Sequence, residues 1–182
     1  MNSVTCAQAE PTILAPPSGT TKLVALDTNN FFTRVDSDKD SSPVTFENFN
    51  AQLPSNAIIT KVSVRLYECR TETTNLYLRF DNVDGRMNDV SAMLYSGSAA
   101  LTTNQARMQA LSTTLSTVDY VMFSSTDGSP VIAAAAANAS DFGLQMIYHN
   151  GFYKEAYVDV YVKRVEIAFE YTVPGISAGA EY

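Results

Sequence analysis

Few residues in this chain could carry out acid–base or nucleophilic catalysis. It has one histidine, His149, and two cysteines, Cys6 and Cys69. No Gly-x-Ser-x-Gly motif, Cys–His pairing signal or glycine-rich phosphate loop accompanies them. His149 is best interpreted as a side chain beside a turn, and these residues lack the spacing of zinc ligands. We therefore expect no histidine- or cysteine-based catalysis, no cofactor and two reduced thiols, with a Cys6–Cys69 bridge as the alternative.

A short acidic segment is the best candidate for metal binding. Asp36, Asp38 and Asp40, with Glu47 eleven residues after Asp36, match acidic positions of a twelve-residue calcium loop. The sixth position needs glycine for a sharp turn, but it is Ser41. A solvated acidic loop is therefore favoured, and calcium binding is left open. Carboxylate pairs for glycoside hydrolysis also stay open, because such residues meet only in space.

Tyrosines could offer a surface for stacking on sugar rings. The chain has ten of them, and four lie close together in the sequence, at positions 148, 153, 157 and 161. The more ordinary interpretation is packing in the core and at the rim of a β-rich protein. If the protein binds a glycan, Tyr153 and Tyr157 are the predicted contacts.

The composition suits one domain and excludes several classes of partner. Apolar residues make up 46% of the 182 residues, and the net charge is −7. No basic cluster is present, so counterion release has no source and we expect no nucleic-acid binding. The longest apolar run, 131–137, is far shorter than the roughly twenty residues of a membrane span. The first residues do not resemble a secretory signal, so we expect synthesis in the cytoplasm.

Alternating apolar and polar residues predict β-strands from residue 44 onwards. The predicted segments are IITKVSVRLYECR (58–70), NLYLRFDNV (75–83), VDYVMFSS (118–125), FGLQMIYH (142–149) and a long run from 155 to 173. The apolar positions of this last run are even-numbered up to Val162 and odd-numbered from Val165. This change predicts either a β-bulge near Lys163 and Arg164 or a switch between sheets.

Signals for helices are short and confined to the middle of the chain. Apolar residues at near-helical spacing from Met108 to Val118, after a capping-box pattern at Thr102 and Gln105, favour a helix over a strand with a long loop. A second short helix is predicted at 130–137, with Ser129 as its N-cap.

These elements predict an all-β fold, an antiparallel jelly-roll-like β-sandwich with one or two short helices and an extended N-terminal arm. We assign residues 1–43 to an N-terminal arm or leader that is partly extended. Residues 44–173 form the β-sandwich domain, and residues 174–182 form a flexible C-terminal tail.

Two of these segments resemble a known group of proteins. LPSNAIITKVSVRLYECR (53–70) resembles the opening motif Leu-Pro-x-Gly-Ala-x-Ile-x-x-Val-x-Val of β-sandwich domains in bacteriophage virion proteins of the head decoration or cement type. ASDFGLQMIYHNGFYKEAYVDVYVKRVEIAFEYT (139–172) resembles their closing strands, Ser-Asp-Phe-Gly, Tyr-Val-Asp and Val-x-Val-x-Tyr. An alanine-rich segment precedes the closing strands in both. Asn56 departs from the motif, which has glycine there, and the middle of the chain diverges.

The resemblance implies a non-enzymatic virion structural protein that binds and stabilises the outer surface of a phage capsid. Its partner would be the major capsid protein, it would form a homo-oligomer, and it would be located on the capsid surface after synthesis in the host cytoplasm. The alternative is a receptor- or glycan-binding β-sandwich module of a tail fibre, so head or tail location is left open.

In such a protein, the N-terminal arm could become ordered along a partner. The apolar side chains that would form this interface are Ile13, Leu14, Leu23, Val24, Phe31 and Phe32. The arm could equally add an edge strand to its own sandwich.

Overall fold

The computed structural model describes residues 20–71, 87–125, 132–152 and 157–174. Within them the chain forms nine strands and one short helix. In chain order these are β1 (Thr20–Val35), β2 (Lys39–Asp40), β3 (Val44–Glu47), β4 (Ile58–Arg70), β5 (Met87–Ser96), β6 (Ala99–Ala100), β7 (Ser116–Ser124), α1 (Ala134–Ala137), β8 (Phe142–Asn150) and β9 (Val158–Thr172). The predicted strand at 75–83 and the tail at 175–182 lie outside the described residues.

The strands form two antiparallel sheets. The four-stranded sheet has the order β1-β9-β4-β7, and the five-stranded sheet has the order β2-β8-β5-β6 with β3 also paired to β8. Strands β4 and β8 begin at the residues where the alternation begins in the sequence. The prediction of an all-β antiparallel sandwich is therefore confirmed.

The core lies between the two sheets and is filled by the inward-facing side chains of their central strands. Leu66 on β4, Leu144 on β8 and Val160 on β9 are fully buried. The rings of Phe142 on β8 and Phe169 on β9 lie 5.7 Å apart across the sandwich. Each large apolar side chain buried in this way contributes roughly 1.5–3 kcal/mol to the free energy of folding.

The change in the alternation of apolar residues along β9 is caused by a β-bulge. This confirms the predicted bulge, and not the predicted switch between sheets. Tyr67 on β4 is opposite Arg164, and the next residue, Glu68, is opposite Val162, so Lys163 has no partner in the register. The pairing between β1 and β9 is irregular at the same place. Because of the bulge, β9 faces the core on both sides of the irregularity.

Close packing of β3 against β8 requires a glycine at position 143. Gly143 is opposite Glu47 in the register. A Cβ atom there would lie 2.2 Å from the carbonyl oxygen of Phe46, closer than a real Cβ can approach. The glycine of the Ser-Asp-Phe-Gly motif thus allows two backbones to lie side by side.

The helix predicted around Met108 is wrong. Residues 101–115 form an irregular connection before β7, which agrees with the alternative of a strand with a long loop. The backbone N–H of Gln105 donates to the carbonyl of Ala92, and that of Leu111 donates to the carbonyl of Met87. These bonds to β5 replace the bonds of a helix. The second predicted helix is present only as α1, which begins four residues later than predicted. Its N-cap is Ala133, so the predicted N-cap at Ser129 is wrong.

The described part of the predicted arm belongs to the sandwich. Residues 20–35 form β1, which pairs with β9 along most of its length. Of the two alternatives, the structure has the intramolecular edge strand for these residues. Residues 1–19 lie outside the described part of the chain.

Cys69 is disulfide-bonded, so the expectation of two reduced thiols is wrong for this residue. Two cysteines are too few for a disulfide scaffold but sufficient for a single bridge. The other cysteine of the chain, Cys6, lies outside the described residues.

Candidate functional site

The candidate site is the outer face of the four-stranded sheet, together with one edge of that sheet. Side chains on its strands alternate between the core and this face. The register places Leu23 on β1, Ala168 on β9, Ser63 on β4 and Val121 on β7 in one line across the sheet. We call these four residues the neutral row. Leu23 and Val121, at its two ends, are exposed.

Ion pairs lie on one side of the neutral row. The guanidinium of Arg65 donates to both carboxylate oxygens of Asp119 across β4 and β7, at 2.6 and 2.8 Å. On β9, Nε of Arg164 donates to Glu166 at 2.9 Å, and Nη1 donates to Asp27 of β1 at 3.1 Å. The hydroxyl of Tyr67 on β4 also donates to Glu166, at 2.9 Å.

Another ion pair lies on the opposite side of the neutral row. Nζ of Lys61 on β4 donates to Glu170 on β9 at 2.8 Å. Each of these cations therefore has a carboxylate partner on the same face. A partner that docks on this face would bury charges that already have counterions, which costs less than burying unpaired charges.

A group of aromatic and charged side chains occupies the corner where β1 and β9 meet. The rings of Phe32 and Tyr161 lie 5.7 Å apart, and the guanidinium carbon of Arg34 lies 3.9 Å from the ring centroid of Tyr157. Arg34 also makes two hydrogen bonds with Asp159, at 2.7 and 2.9 Å. Phe32 is 53% exposed and Tyr157 is 54% exposed. We call these five residues the aromatic corner.

A groove adjoins the neutral row at β7. It has a volume of about 580 Å³ and lies between β7 and the start of the connection at 101–115. Its lining includes Leu101, Thr102, Gln105, Val121 and Phe123, and no charged side chain. The groove extends the uncharged part of the surface from the outer face to the edge of the sheet.

The structure does not bring the residues predicted for the partner interface together on one surface. Leu23 and Phe32 are exposed on the outer face, and Phe31 is exposed but packs edge-on against Phe46 of β3. Val24 is buried and packs in the hydrophobic core. Its neighbours on either side face outwards, as strand alternation requires. Ile13 and Leu14 lie outside the described residues.

The residues predicted for glycan contact also separate. Tyr157 belongs to the aromatic corner, whereas Tyr153 lies outside the described residues. Sequence reasoning missed Arg34 and Asp159. The spacing of Tyr157, Asp159 and Tyr161 could have indicated that they share one side of the chain at the start of β9, but Arg34 joins them only through the pairing of β1 with β9.

The predicted calcium loop is a solvent-facing segment around β2. Asp36, Asp38 and Asp40 are exposed. Asp36 lies 3.6 Å from Lys39, and a carboxylate oxygen of Asp40 is hydrogen-bonded to Nδ1 of His149 at 2.8 Å. In the described ranges, no group of three or more histidine, cysteine or acidic side chains could hold a metal ion.

Comparisons with known proteins give little beyond this geometry. No family model and no curated protein matches the chain. A chain of the cyanophage Pam1 capsid asymmetric unit is similar in structure, with a TM-score of 0.36 and 14% identity, covering 96% of this chain and 100% of that chain. No helix within the described residues is long and apolar enough to cross a membrane.

Proposed function

We propose that this protein is a non-enzymatic structural protein of a bacteriophage virion, which binds and stabilises the outer surface of the capsid as a decoration or cement protein. The observation that carries the proposal is the place of the two virion-type motifs in the fold. Residues 53–70 contain β4, and residues 139–172 contain β8 and β9. These three are central strands of the two sheets, so the resemblance concerns the framework of the sandwich.

The outer face of the four-stranded sheet supports adhesion to a protein surface. The neutral row and the aromatic corner offer apolar and aromatic area, which is typical of the centre of protein interfaces. Paired charges surround the neutral row and would form a polar rim. The major capsid protein is the proposed partner of this face.

The cement role requires contacts with more than one capsid subunit. A symmetric homo-oligomer could make such contacts at equivalent positions around a symmetry axis of an icosahedral head. We therefore propose a homo-oligomer that is made in the host cytoplasm and located on the capsid surface of the virion.

The test is removal of this protein from the phage that encodes it, followed by adding the purified chain back. Particles without the protein should package genomes but lose infectivity at a lower temperature or after a milder osmotic shock. Added wild-type protein should restore resistance, whereas a Phe32→Ser/Tyr157→Ser variant should bind the particles at least tenfold more weakly, because aromatic anchors often contribute 2 kcal/mol or more. Unchanged resistance of the particles without the protein would refute the cement role.

A matched control is Met108→Ser. Met108 is also an exposed apolar residue, but it lies in the connection that follows β5, away from the aromatic corner. This variant should restore resistance as well as the wild type. If it fails equally, the loss does not report on the aromatic corner.

A second candidate function is a receptor- or glycan-binding module of a tail fibre. It is favoured by the aromatic corner, where exposed aromatic rings lie beside the polar atoms of Arg34 and Asp159. Rings can stack on the apolar face of a sugar while the charged groups bind its hydroxyls. Saturable binding on a glycan array that is lost in Tyr157→Ala, with the protein imaged on the tail, would favour this function over the cement role.

A further inference from the structure

A polar cluster connects the two sheets inside the core. The side chain of Glu68 projects from β4 and is only 1% exposed. Its Oε2 accepts a hydrogen bond of 2.7 Å from the hydroxyl of Tyr148 on β8, in the opposite sheet. Its other oxygen, Oε1, is buried and has no hydrogen-bond partner among the described residues.

A second contact of the same kind lies beside the first. Asp89 on β5 is buried, and its Oδ2 accepts a hydrogen bond of 3.3 Å from the hydroxyl of Tyr120 on β7. The same oxygen accepts the backbone N–H of Arg107 at 2.7 Å. The two contacts together connect β4 and β7 of one sheet with β8 and β5 of the other.

Few charged groups surround the Glu68 carboxyl group. Tyr148 faces it from β8, and the carboxyl group of Asp89 adds a like charge from β5. Tyr120, from β7, interacts electrostatically with both acids and with Arg107. Within the register, the neighbours of Glu68 are Ser116 on β7 and Val162 on β9, which bring no charge.

The nearest arginine along β4 is engaged elsewhere. Arg70 donates to the carbonyl oxygens of Leu111 and Thr71, and its guanidinium lies over the ring of Phe152. Glu68 and Asp89 differ in their hydrogen-bond donors. Oδ2 of Asp89 accepts two hydrogen bonds. Oε2 of Glu68 accepts one, and Oε1 of Glu68 accepts none from the described residues. A proton on Oε1 of Glu68 would remove the buried charge and leave the bond from Tyr148 to Oε2 in place.

We propose that Glu68, Tyr148, Tyr120 and Asp89 form a proton-linked clasp between the two sheets, in which Glu68 takes up one proton when the chain folds and the folded state loses stability when that proton leaves. The proton passes from solvent to the carboxylate of Glu68, and no other bond changes. This inference is independent of the proposed virion function.

The direction of the pH dependence follows from the cause of the shift. Burial raises the pKa of Glu68 from its ordinary 4.5 to about 7; the bond from Tyr148 lowers the pKa, and the charge of Asp89 raises it. Between these two values the folded chain holds a proton that the unfolded chain has lost. The stabilising contribution of Glu68 is therefore fully present below pH 4.5 and is lost as the pH rises through 7.

The test is denaturant-induced unfolding of the full chain at a series of pH values from 4.5 to 9. Each pKa unit corresponds to a factor of ten. Ionisation of Glu68 should therefore raise the unfolding equilibrium constant roughly 300-fold between pH 4.5 and about 7, and it should cause no further rise above that range. In Glu68→Gln, which cannot titrate, that rise should be missing. The matched control Glu170→Gln, on the outer face of the same sheet, should keep the wild-type profile.

A second variant keeps the test decisive if Glu68→Gln does not fold. Tyr148→Phe removes the hydroxyl group that lowers the pKa of Glu68, so the loss of stability should move to higher pH. The titration of the Glu68 carboxyl carbon, followed by ¹³C NMR in the wild type, should have its midpoint near pH 7. A midpoint near 4.5, or an unchanged pH profile in Glu68→Gln, would overturn the proposal.

Discussion

Glu166 and Glu68 are two carboxyl groups with almost equal burial and opposite surroundings. Glu166, on the outer face, is 2% exposed and accepts a hydrogen bond of 2.9 Å from the hydroxyl of Tyr67. Glu68, in the core, accepts a similar bond from Tyr148. Within the part of the chain that the structure describes, only Glu166 of the two has a cation: Nε of Arg164 donates to its second oxygen. There, both oxygens of Glu166 have donors, whereas only one oxygen of Glu68 does.

The comparison shows that burial alone does not decide how an acid behaves in this sandwich. Both groups have lost most of their water, which disfavours charge in both. The guanidinium beside Glu166 compensates for this loss, whereas the acid nearest to Glu68 adds to it. Tyr67 and Glu68 are consecutive residues of β4, so alternation along one strand separates an ion-paired surface from an acidic core.

Removing the cation of Glu166 should have the largest effect. In Arg164→Met, Glu166 keeps the bond from Tyr67 but loses its counterion. We expect a loss of about 2–3 kcal/mol in the free energy of unfolding at pH 8, below the roughly 3–5 kcal/mol of a fully buried pair, because Arg164 is 36% exposed. Denaturant unfolding of the wild type and the variant measures this, and a loss below about 1 kcal/mol, as for an exposed pair, would contradict the comparison.

Removing the two tyrosine hydroxyls should have intermediate and unequal effects. Tyr148→Phe leaves both oxygens of Glu68 without a donor, so we expect a loss of about 2 kcal/mol at pH 8. Tyr67→Phe leaves Glu166 with Arg164, and the loss should be about 0.5–1 kcal/mol. The two variants are matched controls for each other in the same unfolding experiment. Equal losses would mean that the counterion does not matter.

The sequence was sufficient for the features that depend on neighbouring residues. Alternation located β4 and β8, and the change of phase located the bulge at Lys163. Alternation also carries a signal for the clasp, since Glu68 continues the inward positions of Val64 and Leu66. An acid at an inward position indicates a buried polar contact.

The features that the sequence did not reveal depend on contacts between distant segments. The connection at 101–115 has helical spacing but bonds to β5. The aromatic corner needs two residues of β1 beside Tyr161 of β9 and Tyr157, which directly precedes that strand. No local pattern in the sequence reports that pairing, because register between strands is set by the packing of whole faces.

The ion pair between Lys61 and Glu170 should show the smallest effect. It lies on the same face as Arg164 and Glu166, with a comparable distance of 2.8 Å, but its side chains are 36% and 31% exposed. Water screens such a pair, so Lys61→Met should cost less than about 1 kcal/mol. That cost should shrink further in 0.5 M salt, because exposed charges are screened, whereas the cost of Arg164→Met should change little. Unfolding of both variants at low and high salt gives the measurement. A loss for Lys61→Met as large as that for Arg164→Met would show that the outer face as a whole, and not the burial of one acid, determines the energy.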